Sequence, residues 1–223
     1  YFNIFNIFNN FIFYLIKKSF SQHRQDLHVL KFYNSKKNGY FIEIGAANGI
    51  RNSNTYLLES KYDWKGICVE PVPREYDILC KNRPNSICIN SPIFSESNKN
   101  IKFAIANRKN NLSGIENYLD CHKKKVYIDK TIITLKTLSF NDLLKKCESP
   151  NFIDYLSLDT EGSEYEILKK LDFNKYIIGL IHVEHNFCEP RRTQIRNLLL
   201  SKGYVFIRKK RVDDFYRHKS LKL

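Results

Sequence analysis

The stretch "YFIEIGAANGIRNSNTYLLES", residues 40–60, decides the fold. It begins with a short apolar run that predicts a buried strand, and it ends in a pattern that predicts a helix with Ser53 or Asn54 as its N-cap. Between the two, Gly45 and Gly49 allow the chain to turn tightly and let its backbone approach a ligand. The stretch therefore predicts a strand, a ligand-binding loop and a helix in succession.

The same alternation of short apolar runs and helical stretches continues from residue 21 onward, which is typical of a parallel sheet covered by helices. Further strands are predicted within residues 64–71, 85–94, 152–162 and 176–186, and helices within residues 26–33, 73–82, 136–147, 163–171 and 189–203, the last closed by Gly203. The final stretch, 204–218, predicts an antiparallel hairpin at the sheet edge. The predicted fold class is α/β: one domain, 21–223, with an open, mostly parallel, Rossmann-like sheet flanked by helices.

Two segments depart from this order. Residues 1–16, "YFNIFNIFNNFIFYLI", are shorter than the ~20 residues of a membrane-spanning helix and contain four Asn. Residues 1–20 are therefore interpreted as a loosely packed lead-in, with an anchor remnant or an amphipathic helix on a membrane surface as alternatives. The Asn- and Lys-rich region 95–125 predicts an exposed loop that holds one strand at 101–106.

The net charge and the cysteines limit the functions that are possible. The formal net charge is +14, which attracts anions, although a Lys-rich composition alone is an alternative explanation. The six cysteines form no C-x-x-C pair, so we expect no structural zinc, and reduced thiols favour a cytoplasmic location.

Open α/β sheets bind ligands beyond the carboxyl ends of their strands. Acids occur at four of the five predicted ends, which lie at residues 43–48, 70–71, 90–91, 159–162 and 184–186. The first loop is not G-x-G-x-x-G, and the chain has no G-K-[ST], so neither a dinucleotide nor a triphosphate is expected. A nucleoside with a charged tail fits better, and Glu70 is placed to accept both hydroxyls of its ribose.

The strings "FIEIGAANGIRNSNTYLLES", "WKGICVEPVPREYDIL", "LSGI" and "IDYLSLDTEGSEYEIL" resemble the FkbM family of S-adenosylmethionine-dependent methyltransferases, and the likeness extends from "SQHRQDLHV" at residue 21 to "DDFY" at 213. The resemblance implies a class I methyltransferase fold and O-methylation of a hydroxyl, often on sugars or secondary metabolites. It implies these cofactor-binding residues: Glu43, Gly45, Ala46, Asn48, Gly49, Ser53, Asn54, Thr55, Glu70, Pro71, Asn90 and Ser91. Asn48 stands where the family commonly has an acid.

Methyl transfer to a sugar hydroxyl needs a base or a metal, because the neutral hydroxyl is a poor nucleophile. The candidate catalytic residues are Asp159, Glu161, Glu184 and His185. We favour a metal-independent base, either Asp159 or His185, and keep Mg²⁺ held by the three carboxylates as the alternative. His182 is expected to be packed in the core, and Glu164 and Glu166 are expected on a solvated helix face.

Basic runs at 122–125, 189–192 and 208–211 are either solvated surface or the rim of a substrate mouth. A rim would select an anionic acceptor, and a sugar or glycan is favoured over RNA because aromatic residues do not interleave the basic ones. An RNA methyltransferase, and a non-catalytic, membrane-associated protein with the same fold, remain the alternatives.

Overall fold

The computed structural model describes residues 18–107, 112–119 and 123–221. The deciding stretch forms a strand, β1 (Tyr40–Ile44), and a helix, α2 (Tyr56–Tyr62), which follows α1 (Gln25–Phe32) along the chain. Thr55 is the residue that precedes α2, so the N-cap predicted at Ser53 or Asn54 is wrong by one or two positions. Ser53 still contributes, since its Oγ accepts a hydrogen bond from the Tyr56 amide at 3.0 Å.

The remaining elements follow in chain order. The strands are β2 (Lys65–Val69), β3 (Ile87–Ile89), β4 (Ile93–Phe94), β5 (Asn100–Ala106), β6 (Gly114–Ile115), β7 (Lys130–Lys136), β8 (Leu138–Ser139), β9 (Phe152–Leu158), β10 (Ile177–Glu184), β11 (Tyr204–Lys210) and β12 (Asp213–His218). The helices are α3 (Pro73–Asn82), α4 (Lys123–Tyr127), α5 (Phe140–Lys146), α6 (Glu164–Leu168) and α7 (Arg191–Ser201). Gly203, predicted to close α7, follows it with a positive φ of 85°.

Seven strands form the central sheet in the order β11–β12–β10–β9–β1–β2–β3. The five strands from β10 to β3 are parallel, and β12 runs antiparallel to β10 as part of the C-terminal hairpin. The predicted open sheet is therefore confirmed. The chain fills one half of the sheet from β1 to β3 and then crosses to β9, so the strand order reverses between β1 and β9. Ligands bind at such a reversal.

Both faces of the sheet are buried, as expected for parallel strands covered by helices. On β1, Ile42 and Ile44 belong to one apolar cluster with residues of α5, α6 and α7, whereas Phe41 belongs to the other with residues of α1, α2 and α3. Successive side chains of β1 thus pack alternately against the two layers of helices.

Parts of the predicted secondary structure are wrong. The helix expected at 136–147 is only α5 (Phe140–Lys146), because Lys136 ends β7 and Leu138–Ser139 form β8. The single strand expected at 85–94 is two strands, β3 and β4, because residues 90–92, which include Pro92, interrupt it. The region expected to be an exposed loop with one strand instead contributes β5 and β6 to a second, antiparallel sheet of order β6–β5–β7. In β7, "KTIITLK", apolar and polar residues do not alternate regularly, and no strand was predicted there.

Most of the N-terminal segment 1–20 lies outside the described residues, and so do the predictions made for it. Within the described ranges, the structure contains no helix of sufficient length and apolarity to cross a membrane.

Candidate functional site

A cavity of about 740 Å³ opens at the carboxyl ends of β1, β2, β9 and β10. Most of the predicted site residues line it: Glu43, Gly45, Ala46, Asn48, Ser53, Asn54, Glu70, Pro71, Asp159, Glu161 and Glu184. Five predicted residues are not part of its wall: Gly49, Thr55, Asn90, Ser91 and His185. The sequence therefore located the cavity correctly but overestimated which side chains reach it.

The loop between β1 and α2, residues 45–55, forms one wall and is called the first loop below. At Gly45 the φ is +90°, and a Cβ atom there would lie 1.9 Å from the Asp159 carbonyl oxygen. Only glycine therefore lets β1 and β9 approach each other at the point where the sheet order reverses. The amide of Ala47, which also has a positive φ of 45°, donates to Glu70 Oε2 at 2.8 Å.

Glu43 is buried behind the first loop, and its carboxylate is already occupied. Its Oε2 accepts hydrogen bonds from Ser53 Oγ at 2.8 Å and Thr55 Oγ1 at 2.6 Å, and its Oε1 accepts one from the Asn54 amide at 2.6 Å. The Ser-Asn-Thr triplet therefore turns two of its three side chains onto Glu43. Only Asn54 projects elsewhere, toward Ser157 Oγ at 2.8 Å.

Arg83 completes this network and was missed by sequence reasoning. Its side chain is fully buried, and it pairs with Glu59 at 2.5 Å and with Glu43 at 3.4 Å. It also donates to Thr55 Oγ1 at 2.9 Å and to the Gly49 carbonyl at 3.1 Å. No motif in the sequence signals this role, because a basic residue just after a helix is ordinarily solvent-exposed.

Glu70 ends β2 and faces the cavity. Its two oxygens accept backbone hydrogen bonds from Ala47 and Val72, both at 2.8 Å. Burial raises the pKa of Glu70 to about 7, although these two amides oppose the shift. A carboxylate has four lone-pair sites, so Glu70 keeps capacity for further donors.

Three carboxylates gather at the ends of β9 and β10. Oxygen atoms of Asp159, Glu161 and Glu184 lie within 4.8 Å of one another. Burial, and then the charge of Glu161, raises the pKa of Asp159 well above its usual value; burial and Asp159 do the same for the pKa of Glu184. Asp159 Oδ1 is buried and accepts no hydrogen bond from the described residues. Such a cluster is suited to accept a proton or to hold a cation.

His185, predicted as a possible base, is turned away from this cluster. Its Nδ1 accepts a hydrogen bond from the Phe187 amide at 2.9 Å, and its Nε2 lies 3.4 Å from Asp214 Oδ1. The antiparallel strand β12 brings Asp214 to that side, which the order of the chain does not indicate. His185 is 3% exposed and is absent from the cavity wall, so the structure does not support it as the base.

Two smaller predictions have different outcomes. His182 is packed in the core as expected, where it contacts the Tyr155 hydroxyl at 2.9 Å and stacks on Phe215. Glu164 is not on a solvated face: it is 2% exposed and accepts hydrogen bonds from the amides of Thr160 and Gly162. It shapes the turn that carries Glu161.

Several cavity residues were not predicted. Asp213 pairs with Glu184 across β10 and β12, and Gln25 Nε2 donates to its Oδ2 at 2.9 Å. Burial raises the pKa of Asp213 to about 7. The "DDFY" string was the only signal for it. Phe103 and Ile115, from the second sheet, close the cavity from a region that the sequence predicted to be mainly loop.

The basic runs separate in the structure. Residues 208–211 lead directly into Val212 and Asp213, which line the cavity, and His23 and Arg51 add further basic groups to its wall. In the run 189–192, Arg192 is bound to Asp214 at 2.8 Å. The run 122–125 lies partly outside the described residues.

An open sheet of this strand order, with a cavity at its reversal point, an acid at the end of β2 and no phosphate loop, defines a class I S-adenosylmethionine-dependent methyltransferase. Residues 43–206 match the family model described as the methyltransferase FkbM domain. The match covers most of the chain, and the protein belongs to the FkbM methyltransferase family.

Solved structures with a similar fold include three methyltransferases. Precorrin-6y C5,15-methyltransferase from Geobacter metallireducens has a TM-score of 0.49 at 10% identity, with 90% of this chain and 89% of that chain covered. The METTL16 methyltransferase domain has a TM-score of 0.48 at 12% identity, with 86% and 65% covered. TrmK from M. capricolum, solved with S-adenosyl-homocysteine, has a TM-score of 0.44 at 14% identity, with 85% and 66% covered. A comparison with curated protein sequences gives no match.

The cavity fits the cofactor that this family uses, S-adenosylmethionine. Its volume lies within the range of small-molecule sites. Glu70 offers carboxylate oxygens for ribose hydroxyls, and the buried Oδ1 atoms of Asn54 and Asp159 are acceptors without a donor among the described residues. A ligand with hydroxyl groups and an ammonium group supplies the donors that these oxygens lack.

Proposed function

We propose that this protein transfers a methyl group from S-adenosylmethionine to a hydroxyl of an anionic sugar or glycan. The observation that carries the proposal is one cavity with two adjacent sides: the first loop and Glu70 form one, and the crowded carboxylates at the ends of β9 and β10 form the other.

On the first side, Glu70 would hold the ribose hydroxyls, and the backbone of Gly45, Ala46 and Asn48 would contact the cofactor. Asn54, which has one buried oxygen without a partner, would accept from its amino-acid end. Pro71 contributes a wall beside Glu70. Gly49, Thr55, Asn90 and Ser91 act at most indirectly in this proposal, because they do not line the cavity.

On the second side, Asp159 is the base. S-adenosylmethionine, when bound, supplies an electrophilic methyl group on a sulfonium. Asp159 accepts the proton of the acceptor hydroxyl as the new O–C bond forms and the methyl–sulfur bond breaks, which leaves an ether product and neutral S-adenosyl-homocysteine. Its raised pKa makes the ionised form a stronger base than an exposed carboxylate. Burial and the negative charge of Glu161 favour protonation of Asp159, whereas its hydrogen bond with Glu184 opposes it.

Basic residues beside the opening support an anionic acceptor, although most charged groups of the wall are carboxylates. Arg51 lines the cavity, and Lys210 and Arg211 lie just before Val212 at its wall. Positive charge around an opening raises the local concentration of anions and their rate of entry.

A divalent cation held by Asp159, Glu161 and Glu184 is the second candidate for activating the hydroxyl. The closeness of their oxygens, within 4.8 Å, favours it. Hard cations such as Mg²⁺ prefer carboxylate oxygens. Calorimetric titration with Mg²⁺, repeated on Asp159→Asn, separates the two candidates: binding that disappears in the variant supports the cation.

The test of the proposed function is cofactor binding followed by acceptor capture. Calorimetry should detect S-adenosylmethionine binding that Glu70→Ala weakens at least about tenfold, the scale of a hydrogen-bonded charged group. Glu96→Ala, a change of an exposed acid far from the cavity, is the matched control. No binding at millimolar cofactor would contradict the enzymatic proposal and favour a non-catalytic protein of the same fold.

Transfer of a radiolabelled methyl group to glycan, RNA and protein fractions then identifies the acceptor. Label in an acidic glycan fraction supports the proposal, whereas label in RNA alone contradicts the proposed acceptor and supports an RNA methyltransferase.

A further inference from the structure

The first loop has a strained backbone that needs external support. Gly45, Ala47, Gly49 and Asn52 all have positive φ, at 90°, 45°, 80° and 61°. For residues other than glycine, such conformations cost roughly 1–3 kcal/mol each and persist only where surrounding contacts fix them. Ala47 is fixed by Glu70 at the end of β2, whereas the carbonyls of Asn48 and Gly49, in the middle of the loop, are held by residues outside the sheet.

The support for the middle of the loop comes from the end of α3. Asn82 Nδ2 donates to the carbonyl oxygen of Asn48 at 2.7 Å, and Arg83 Nη1 donates to the carbonyl oxygen of Gly49 at 3.1 Å. Two consecutive residues thus hold two consecutive carbonyls. Neither Asn82 nor Arg83 is part of the cavity wall.

The packing at Gly49 shows how closely α3 and the loop approach. A Cβ atom on Gly49 would lie 2.6 Å from Leu79 Cδ1 and 2.7 Å from Arg83 Cγ. Gly49 therefore serves contact with α3, not direct approach to a ligand. The same Arg83 reaches Ser53 Oγ at 3.2 Å and Thr55 Oγ1 at 2.9 Å, so it spans the loop from its middle to its end.

We propose that Asn82 and Arg83 are positioning residues that hold the first loop in its cofactor-binding shape through the carbonyls of Asn48 and Gly49. The inference rests on the proposed function, since it assumes that this loop binds S-adenosylmethionine. Asn82 and Arg83 touch no reacting atom; they act through the backbone on which Ala46 to Asn48 face the cavity.

Asn82 and Arg83 differ in how much they contribute to the fold. Arg83 is buried and paired with Glu43 and Glu59, so its loss disturbs the fold as well as the loop. Asn82 is half-buried and, among the described residues, is bound to the loop through a single side-chain hydrogen bond. Variants of Asn82 therefore test positioning with little effect on stability.

The experiment compares Asn82→Ala and Asn82→Asp with Lys81→Ala, the exposed neighbour on the same helix end. Two quantities are measured on the full chain: amide hydrogen exchange of residues 45–53 without ligand, and the Kd for S-adenosylmethionine. Both Asn82 variants should speed exchange in that loop and raise the Kd about fivefold, the equivalent of one hydrogen bond, with Lys81→Ala unchanged. Arg83→Lys, which keeps the charge but loses the planar fork, should raise the Kd at least as much.

Each outcome decides one claim. Unchanged hydrogen exchange of the first loop in the Asn82 variants would show that Asn82 does not hold the loop, and it overturns the proposal. Faster exchange with an unchanged Kd for S-adenosylmethionine would show that the contact is only structural, and it overturns the positioning role. A wild-type protein that binds no cofactor contradicts the proposed function instead, while the exchange measurement still reports whether α3 holds the loop.

Discussion

Two groups of charged residues lie beside the same cavity, and they differ in whether a cation pairs with their carboxylates. Behind the first loop, Glu43 and Glu59 share the guanidinium of Arg83, and Glu43 has its oxygens filled by hydroxyl and amide donors. At the ends of β9 and β10, neither Asp159 nor Glu184 forms an ion pair with a described residue, and burial raises the pKa of both.

This difference distinguishes carboxylates that stabilise the fold from carboxylates that can take part in chemistry. A buried carboxylate that is paired and fully hydrogen-bonded holds its surroundings in place but has no capacity left for a ligand. A buried carboxylate without a cationic partner is costly for folding, and it can accept a proton or a cation when one arrives. The same residue type thus has opposite uses on the two sides of one cavity.

The largest effect on stability should follow from removing Arg83, the cation that pairs with Glu43 and Glu59. Arg83→Met leaves two buried carboxylates without their cation, and we expect the free energy of unfolding to fall by about 3–5 kcal/mol. Urea denaturation at neutral pH measures it, with Arg74→Met, a change of an exposed residue of α3, as the control. A loss below about 1 kcal/mol would show that the network contributes little to stability.

The carboxylates at the ends of β9 and β10 should respond in the opposite way. Asp159→Asn removes a charge from a crowd of carboxylates, so stability should be maintained or rise, while kcat falls by about 100-fold or more through loss of the base. The measurements are methyl transfer at saturating substrates and urea denaturation. Glu166→Gln, which alters an acid on the outer part of α6, should change neither. Unchanged kcat in Asp159→Asn would remove it as the base.

Glu70 is hydrogen-bonded, like Glu43, but its pKa is raised, like that of Asp159. It should therefore make the stability of the protein depend on pH. Its pKa is raised from 4.5 to about 7 in the folded protein. The folded state therefore retains a proton that the unfolded chain releases, and the Glu70 contribution to stability falls as pH rises through this interval, by at most about 3 kcal/mol. Glu70→Gln should be more stable than wild type at pH 8, with the difference shrinking toward pH 4. A constant difference across the range would show that Glu70 does not titrate there.

The smallest effect should come from Asn48. Its Oδ1 accepts hydrogen bonds from the amides of Ile50 and Arg51, so the side chain shapes its own loop. Asn48→Asp keeps both acceptor contacts, and we expect the Kd for S-adenosylmethionine to stay within about twofold, as for most surface-like changes. Binding about tenfold tighter in the variant would show that the acid common in the family contacts the cofactor directly.

Much of the fold was predictable because its signals are local. The apolar run of β1, the proline that begins α3 at Pro73 and the glycines of the first loop all act within a few residues, and these three features were found where they were predicted. The second sheet was missed because β7 shows no regular alternation, and its pairing with β5 depends on a partner about 30 residues away. Local pattern carries no information on that pairing.

The sequence by itself determined the order of the strands and helices of the central sheet, the acids at the strand ends and the family that uses them. Only the tertiary structure decided what each acid does. Glu43 is neutralised by Arg83, which is 40 residues further along the chain, and His185 is turned toward Asp214 by a strand that returns from the C-terminus. A carboxylate or an imidazole takes its role from the charges, donors and burial around it. Those neighbours come from distant parts of the chain, and folding alone brings them together.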